Sequence, residues 1–435
     1  MAEYIKTLIS NKKTPEILYL PVFAAIAFFI PIYSSISDAL TYLVFLLFLR
    51  ECMEIFKGYH VLSKSNLRYV IIGAALFLLT LPHLIGSENR SDILMQLDQY
   101  TALFVFPIAF ATLRFSDNPG RQISKVFLMA VVGTLISTII LFVSALIRYH
   151  ETATITEFYY ISLGNGFHPT YLSMLTTLSL AIILDRKTLR KFITLYRPLK
   201  YIVVVAVIWL VTFNILLASK AGVIVQLMVI ALFAVREFVS RRHINGIILM
   251  LLFTISVVSI PTVFTFTANR FDLLAESVVY TNGDDNLLHL NEATTNSRMN
   301  GWKASFDIIK QNPILGVGPG AIKGALNKAY ISRGLDYGNR NPHNQYLQTW
   351  LELGLPGIIM LLLLGVVAAI YAFKEKNYLY LAFLIIIFIN MFFESILERR
   401  MGVMFFAFWN SLFWFYNLQK NNSTVVKTLP TIQSR

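Results

Sequence analysis

The sequence predicts an all-α polytopic membrane protein with about twelve transmembrane helices, and three observations carry the prediction. The chain of 435 residues is 56% hydrophobic and only 14% charged, where a soluble domain carries about a quarter charged residues. Its mean hydropathy is +0.62. Apolar runs recur along the whole chain, broken by short polar segments. A bilayer-spanning helix needs about 20 residues, so about twelve use roughly 240, a little over half of the chain. What remains suffices for connecting loops and one sizeable extramembrane segment.

In order, the apolar runs lie near residues 17–33, 36–49, 69–85, 97–113, 126–147, 169–185, 201–218, 221–235, 245–266, 346–373, 378–393 and 401–416. Lys6, Lys12 and Lys13 precede the first run with no small-residue cleavage site behind it, so the first span is expected to stay as an anchor. This divides the chain into an N-terminal block of spans (1–266, about nine), a long loop (267–345), a C-terminal block (346–420, about three) and a polar tail (421–435). No internal repeat or heptad array is visible. The single cysteine, Cys52, excludes an internal disulfide and a cysteine-based metal cluster.

The balance of 37 Lys and Arg against 24 Asp and Glu gives a net +13. In a membrane protein such an excess sets topology, because cytoplasmic loops collect basic residues. With the N-terminus inside, the inner loops hold Arg50, Lys57, Lys64 and Arg68, then Arg114, Arg121 and Lys125. Next come the cluster from Arg186 to Lys200, then Arg236, Arg241 and Arg242, and finally Lys374 and Lys376, with Lys420 and Lys427 in the tail. Both termini are therefore expected in the cytoplasm. The long loop then lies outside and is the only one large enough to build a site. Within it, Asn282–Asn286 reads as a turn, Asn300 to Gln311 has helical spacing, and Asn312-Pro313 should end that helix.

Ionisable groups near span ends on the outer side are the candidates for chemistry, since they are costly near a bilayer. Lys220, squeezed between two apolar runs, is either a snorkelling lysine at a tight turn or an anion-binding charge. Arg298 is either a solvated loop arginine or a fork for phosphate oxygens just ahead of the Asn300–Gln311 helix. His343 precedes a span that Asn344 can cap; an imidazole held neutral there is a general base, although a lone histidine can equally be structural. Glu352, nine residues on, points to the opposite helix face from residue 343 and is expected to pair with a neighbouring helix, with Glu394, Glu398, Arg399 and Arg400 able to supply that network. Gly316-Val-Gly-Pro-Gly320 reads as a glycine turn, lacking the strand and Gly-Lys-Ser/Thr of a phosphate loop. Neither a metal cage nor a protease or lipase signature is present.

A basic residue at a tight outer turn, Ser297-Arg298 followed by Trp302, Pro313-Ile-Leu-Gly-Val-Gly318, and Pro342-His-Asn-Gln-Tyr-Leu347 ahead of Glu352-x-Gly-x-x-Gly357 together resemble the O-antigen ligase/polymerase superfamily. The specific part runs from Asn312 to Gly357, with weaker agreement elsewhere, including His168-Pro-Thr-Tyr171 at the start of a span. Within the superfamily the pattern looks most like the lipopolysaccharide O-antigen ligases. The resemblance implies a GT-C-like membrane glycosyltransferase of the bacterial inner membrane, with a partly helical periplasmic loop. It also implies transfer of O-antigen glycan from undecaprenyl pyrophosphate to lipid A-core by an inverting, metal-independent reaction at the periplasmic face, with no cofactor and no nucleic acid partner. By position, His343 matches the base, and Arg298 and Lys220 match the two basic residues that hold pyrophosphate, with Glu352, Trp302 and His168 in support. The family usually has arginine where this chain has Lys220, so bidentate phosphate contact is lost there. The alternatives are an O-antigen polymerase or another lipid-linked glycan transferase with the same donor, and, from a different class, a polytopic transporter or flippase.

Overall fold

The computed structural model describes residues 14–56, 64–85, 89–112, 119–195, 199–258, 295–335 and 340–428. Among these there are helices and no strands. The first eight helices are α1 (Thr14–Phe29), α2 (Ser34–Phe56), α3 (Lys64–Thr80), α4 (Arg90–Thr112), α5 (Pro119–Thr152), the short α6 (Tyr160–Gly164), α7 (Pro169–Leu184) and α8 (Arg186–Leu195). Then come α9 (Leu199–Leu216), α10 (Lys220–Val239), α11 (His243–Val258), α12 (Thr295–Gln311), α13 (Ile322–Ile331), α14 (Gln345–Lys374), α15 (Tyr378–Phe393) and α16 (Arg400–Thr428).

Each apolar run read from the sequence falls on a helix. Among the described residues, five helical stretches are long and apolar enough to cross a membrane: Asn66–Leu84, Arg90–Ala111, Gln122–Thr152, Lys220–Val239 and Gln345–Lys374. Shorter apolar helices include Pro169–Leu184, Tyr201–Leu216 and Tyr378–Phe393. Over the described residues the chain is thus all-helical, with the several apolar helices of a polytopic membrane protein. The expected turn at Asn282–Asn286 and the end of the run at 259–266 lie outside the described residues. α16 continues to Thr428, past the point where the polar tail was expected to begin.

In the interior, α1 packs on α5, α4 on α3 and α16, α7 on α9 and α10, and α15 on α7, α10 and α14. Aromatic rings fill much of it: Phe23 stacks on Phe110 at 4.3 Å and Tyr69 on Trp414 at 4.2 Å. Several buried polar side chains pair across helices. Asn410 donates to Tyr69 and accepts from Tyr380, both at 2.7 Å, and Asn214 donates to Gln226 at 2.7 Å. Apolar side chains such as Ile140, Val205 and Ile248 face outward, as expected where the solvent is lipid.

α14 is broken, and the break joins the two glycine motifs read from the sequence. Gly354 has φ 63° and ψ −156°, a conformation open only to glycine, and Pro356 offers no N–H. In an unbroken helix the Leu355 N–H would bond the Leu351 carbonyl. Here Leu355 N–H donates to the Ile314 carbonyl at 3.0 Å, and the Leu351 carbonyl accepts from Val317 N–H at 2.8 Å. The segment after Pro313 therefore plugs the break and satisfies both orphaned groups. Contact is so close that a Cβ on Gly316, itself at φ 68°, would sit 2.5 Å from the Leu351 oxygen, and a Cβ on Gly354 would collide with Ile314. Trp350 adds a bond from its indole to the Pro313 carbonyl at 2.9 Å. The first turns of α14, which begin beside His343, are thereby fixed to the loop.

Candidate functional site

His343 sits two residues ahead of α14, whose first turn is closed by Asn344: its side chain accepts from Tyr346 N–H at 3.0 Å and Leu347 N–H at 3.1 Å. This is the cap expected from the sequence. His343 itself is left-handed, φ 48°, a conformation that costs a non-glycine residue roughly 1–2 kcal/mol. Local bonds hold it there. The Asn341 side chain accepts from His343 N–H at 3.0 Å and donates to Glu398. Next to it, the Pro342 carbonyl accepts from the Trp302 indole at 3.0 Å, and Trp302 packs edge-on against Phe392. Trp302 thus pins the backbone that presents His343.

The imidazole meets Glu394, the residue that ends α15: Nδ1 lies 2.9 Å from Oε1. A carboxylate opposite Nδ1 makes that nitrogen the donor and leaves Nε2 as an acceptor. The second carboxylate oxygen lies 3.9 Å from Nε2 of His168, the N-cap of α7. Glu394 is buried and stands between two histidines. Burial alone would push its carboxyl up; the hydrogen bond from His343 and the charges of His343, His168 and Arg298 outweigh it and hold Glu394 below the usual carboxylate range. Burial pushes His168 down, against the pull of Glu394 and with the Arg399 charge adding to the fall. Burial pushes Glu398 up, against the Asn341 hydrogen bond and Arg399.

Gln345 anchors the other wall, its side-chain oxygen accepting from Leu397 N–H at 2.6 Å. That bond brings the turn Ile396–Glu398 against the start of α14. The resulting open cavity, about 990 Å³, is lined by His343, His168, Arg340, Arg399, Arg400 and Glu398, with Tyr33, Phe167 and Tyr171 among its apolar walls. Arg400 is directed by Asp98 and by Asp38, at 3.8 Å. The guanidinium groups of Arg340 and Arg399, with that of Arg400 shared with its two aspartates, are donors that suit an anionic ligand. Among the described residues, no set of three or more His, Cys, Asp and Glu side chains is grouped to hold a metal ion.

The residues singled out by sequence distribute unevenly around this cavity. His343 and His168 line it. Arg298 lies inside the first turn of α12 rather than ahead of it, near enough for its charge to act on Glu394 and His168. Lys220 is the exposed first residue of α10, outside the lining, and Ser219 caps that helix by accepting from Gly222 N–H at 3.2 Å. Glu352 is buried away from the cavity. Its partners are Gln348 and, on neighbouring α4, Gln96 at 2.7 Å and Tyr100 at 3.2 Å, rather than the cluster from Glu394 to Arg400. That cluster turns instead to His343, Asn341 and Asp98. The helical-wheel relation between residues 343 and 352 does not apply, because the helix starts at Gln345. Glu394 and Arg340 were missed as members of the site. Glu394 is 51 positions from its histidine; the one signal was an acid closing an outer span end.

Residues 205–362 match the O-antigen ligase family. A Haemophilus influenzae protein described as uncharacterized is 28% identical over 156 residues, 34% of this chain and 37% of that protein. The chain thus aligns with little more than a third of that relative's length. The family match takes in α10, the loop with Arg298 and Trp302, the plug at Ile314–Val317, and His343 with the broken start of α14; it is over residues 205–362 that this chain is similar to the O-antigen ligase family.

Proposed function

We propose that the protein is an O-antigen ligase of the bacterial inner membrane, moving O-antigen glycan from undecaprenyl pyrophosphate to lipid A-core at the periplasmic face. The observation that carries the reading is His343, held by Glu394 at the wall of an arginine-lined cavity, within a chain similar to the O-antigen ligase family over residues 205–362. The acceptor sugar hydroxyl attacks the anomeric carbon from the face opposite the leaving group. As the new C–O bond forms and the bond to pyrophosphate breaks, His343 Nε2 takes the hydroxyl proton. Glu394 orients the ring and stabilises the imidazolium that results. The leaving pyrophosphate carries the developing charge, which Arg340, Arg399 and Arg400 face from the cavity wall, and Arg298 and Lys220 join them by resemblance to the family. No step calls for a metal or nucleotide.

The test is transfer by purified protein reconstituted with lipid-linked glycan and lipid A-core, without ATP or divalent metal. His343→Ala is expected to lower turnover by about 10²–10⁴, the usual worth of a general base, while its unfolding midpoint stays near that of the wild type. Wild-type turnover in that variant overturns the role of His343.

A further inference from the structure

A second cavity lies at the opposite end of the bundle from His343. Helices α7, α10, α14 and α16 begin near the first site and run toward this end, where the second cavity, about 610 Å³, opens among α5, α8, the α10–α11 turn, the α14–α15 turn and α16. Six basic side chains line it, Arg186, Lys187, Lys191, Arg236, Arg242 and Lys376, against two acidic ones, Asp185 and Glu375. Part of that charge is engaged. Arg236 bonds Asp185 at 3.0 Å and Glu237 at 2.7 Å, Arg186 bonds Glu237 at 3.1 Å, and Lys191 donates to the Gly120 carbonyl at 3.0 Å. Lys187, Arg242 and Lys376 are exposed at the rim. Lys376 is left-handed, φ 49°, where glycine would be easier. Deeper in, Phe127, Leu379 and Phe413 form an apolar wall.

From this we infer that the cavity is a binding site for a phosphate-bearing anion, its charge met at the basic rim. This site is separate from the reaction at His343. Basic cavities between helices at a membrane surface accept lipid phosphates, and the apolar wall gives a chain somewhere to lie; a soluble phosphate would use the rim alone.

The experiment titrates full-length protein in neutral detergent with phosphatidylglycerol, with phosphatidylcholine or with inorganic phosphate, reading the unfolding midpoint. The double variant Lys187→Gln/Lys376→Gln is compared with Arg190→Gln/Lys374→Gln, which removes the same charge from positions outside the lining. Saturable stabilisation that weakens about 25-fold in the first variant, at about fivefold per lysine, and is retained in the second supports the site. Stabilisation by phosphatidylglycerol alone assigns a lipid, and by inorganic phosphate alike a soluble anion. Equal weakening in both variants, equal stabilisation by phosphatidylcholine, or stabilisation by none of the three overturns it.

Discussion

Glu394 is the residue on which the site turns, because one buried carboxylate faces two imidazoles that precede different helices, and its own pKa is held down by them. Glu398, four residues on, is the contrasting case: burial lifts its carboxyl above the usual range. Between the unfolded and the raised folded value, the folded chain holds a proton that the unfolded chain has released. This contribution to stability is fully present below the unfolded value and is lost as pH rises through the folded one. Glu398→Gln removes the titration while keeping an oxygen that can accept from Asn341. The variant is therefore expected to gain on the wild type as pH goes from about 4 to about 7. Unfolding midpoints at the two pH values check it, and an equal difference at both would contradict the assignment.

At the level of elements, the break in α14 and its plug show why two separate glycine motifs belong together. Gly354→Ala places a methyl group against Ile314 and forces a non-glycine residue into a glycine-only conformation. The cost expected is at least about 2 kcal/mol, with transfer activity falling too because the start of α14 carries Asn344 and adjoins His343. Gly324→Ala is the matched control: it lies within α13 with open space around its Cβ position, so it should stabilise by about 0.5–1 kcal/mol. Thermal unfolding of both variants measures the contrast, and similar midpoints would remove the plug's importance. Local signals made much of this readable in advance. Asn344 as a cap, the helix ending at Gln311 and the apolar runs all depend on neighbours in sequence, where side-chain chemistry and periodicity act directly. What was not readable depends on distant pairing. The break at Gly354 needs Ile314 and Val317 to be affordable at all, Glu394 reaches His343 only through the α14–α15 packing, and Glu352 finds Gln96 and Tyr100 on α4.

For the whole molecule, the distribution of charge between the two ends of the bundle is the remaining question, since the proposed reaction needs His343 at the periplasmic face. The end away from His343 holds Arg186, Lys187, Arg236, Arg242 and Lys376, the basic excess that the positive-inside rule assigns to the cytoplasm. The His343 end also carries arginines, but Arg400 is balanced by Asp98 and Asp38, and Arg148, at the far end of α5, by Glu157 at 2.7 Å. Cys52 is the sole cysteine, so a Cys52→Ser background gives a clean reporter. Glu151→Cys, exposed at the end of α5 away from the second cavity, should react with a membrane-impermeant maleimide in intact cells whose outer membrane has been opened. Lys374→Cys, exposed at the other end of α14, should react only once the inner membrane is also breached. The reverse pattern would put His343 in the cytoplasm, where a lipid-linked donor presented to the periplasm cannot reach it, and the ligase reading would fall with the topology.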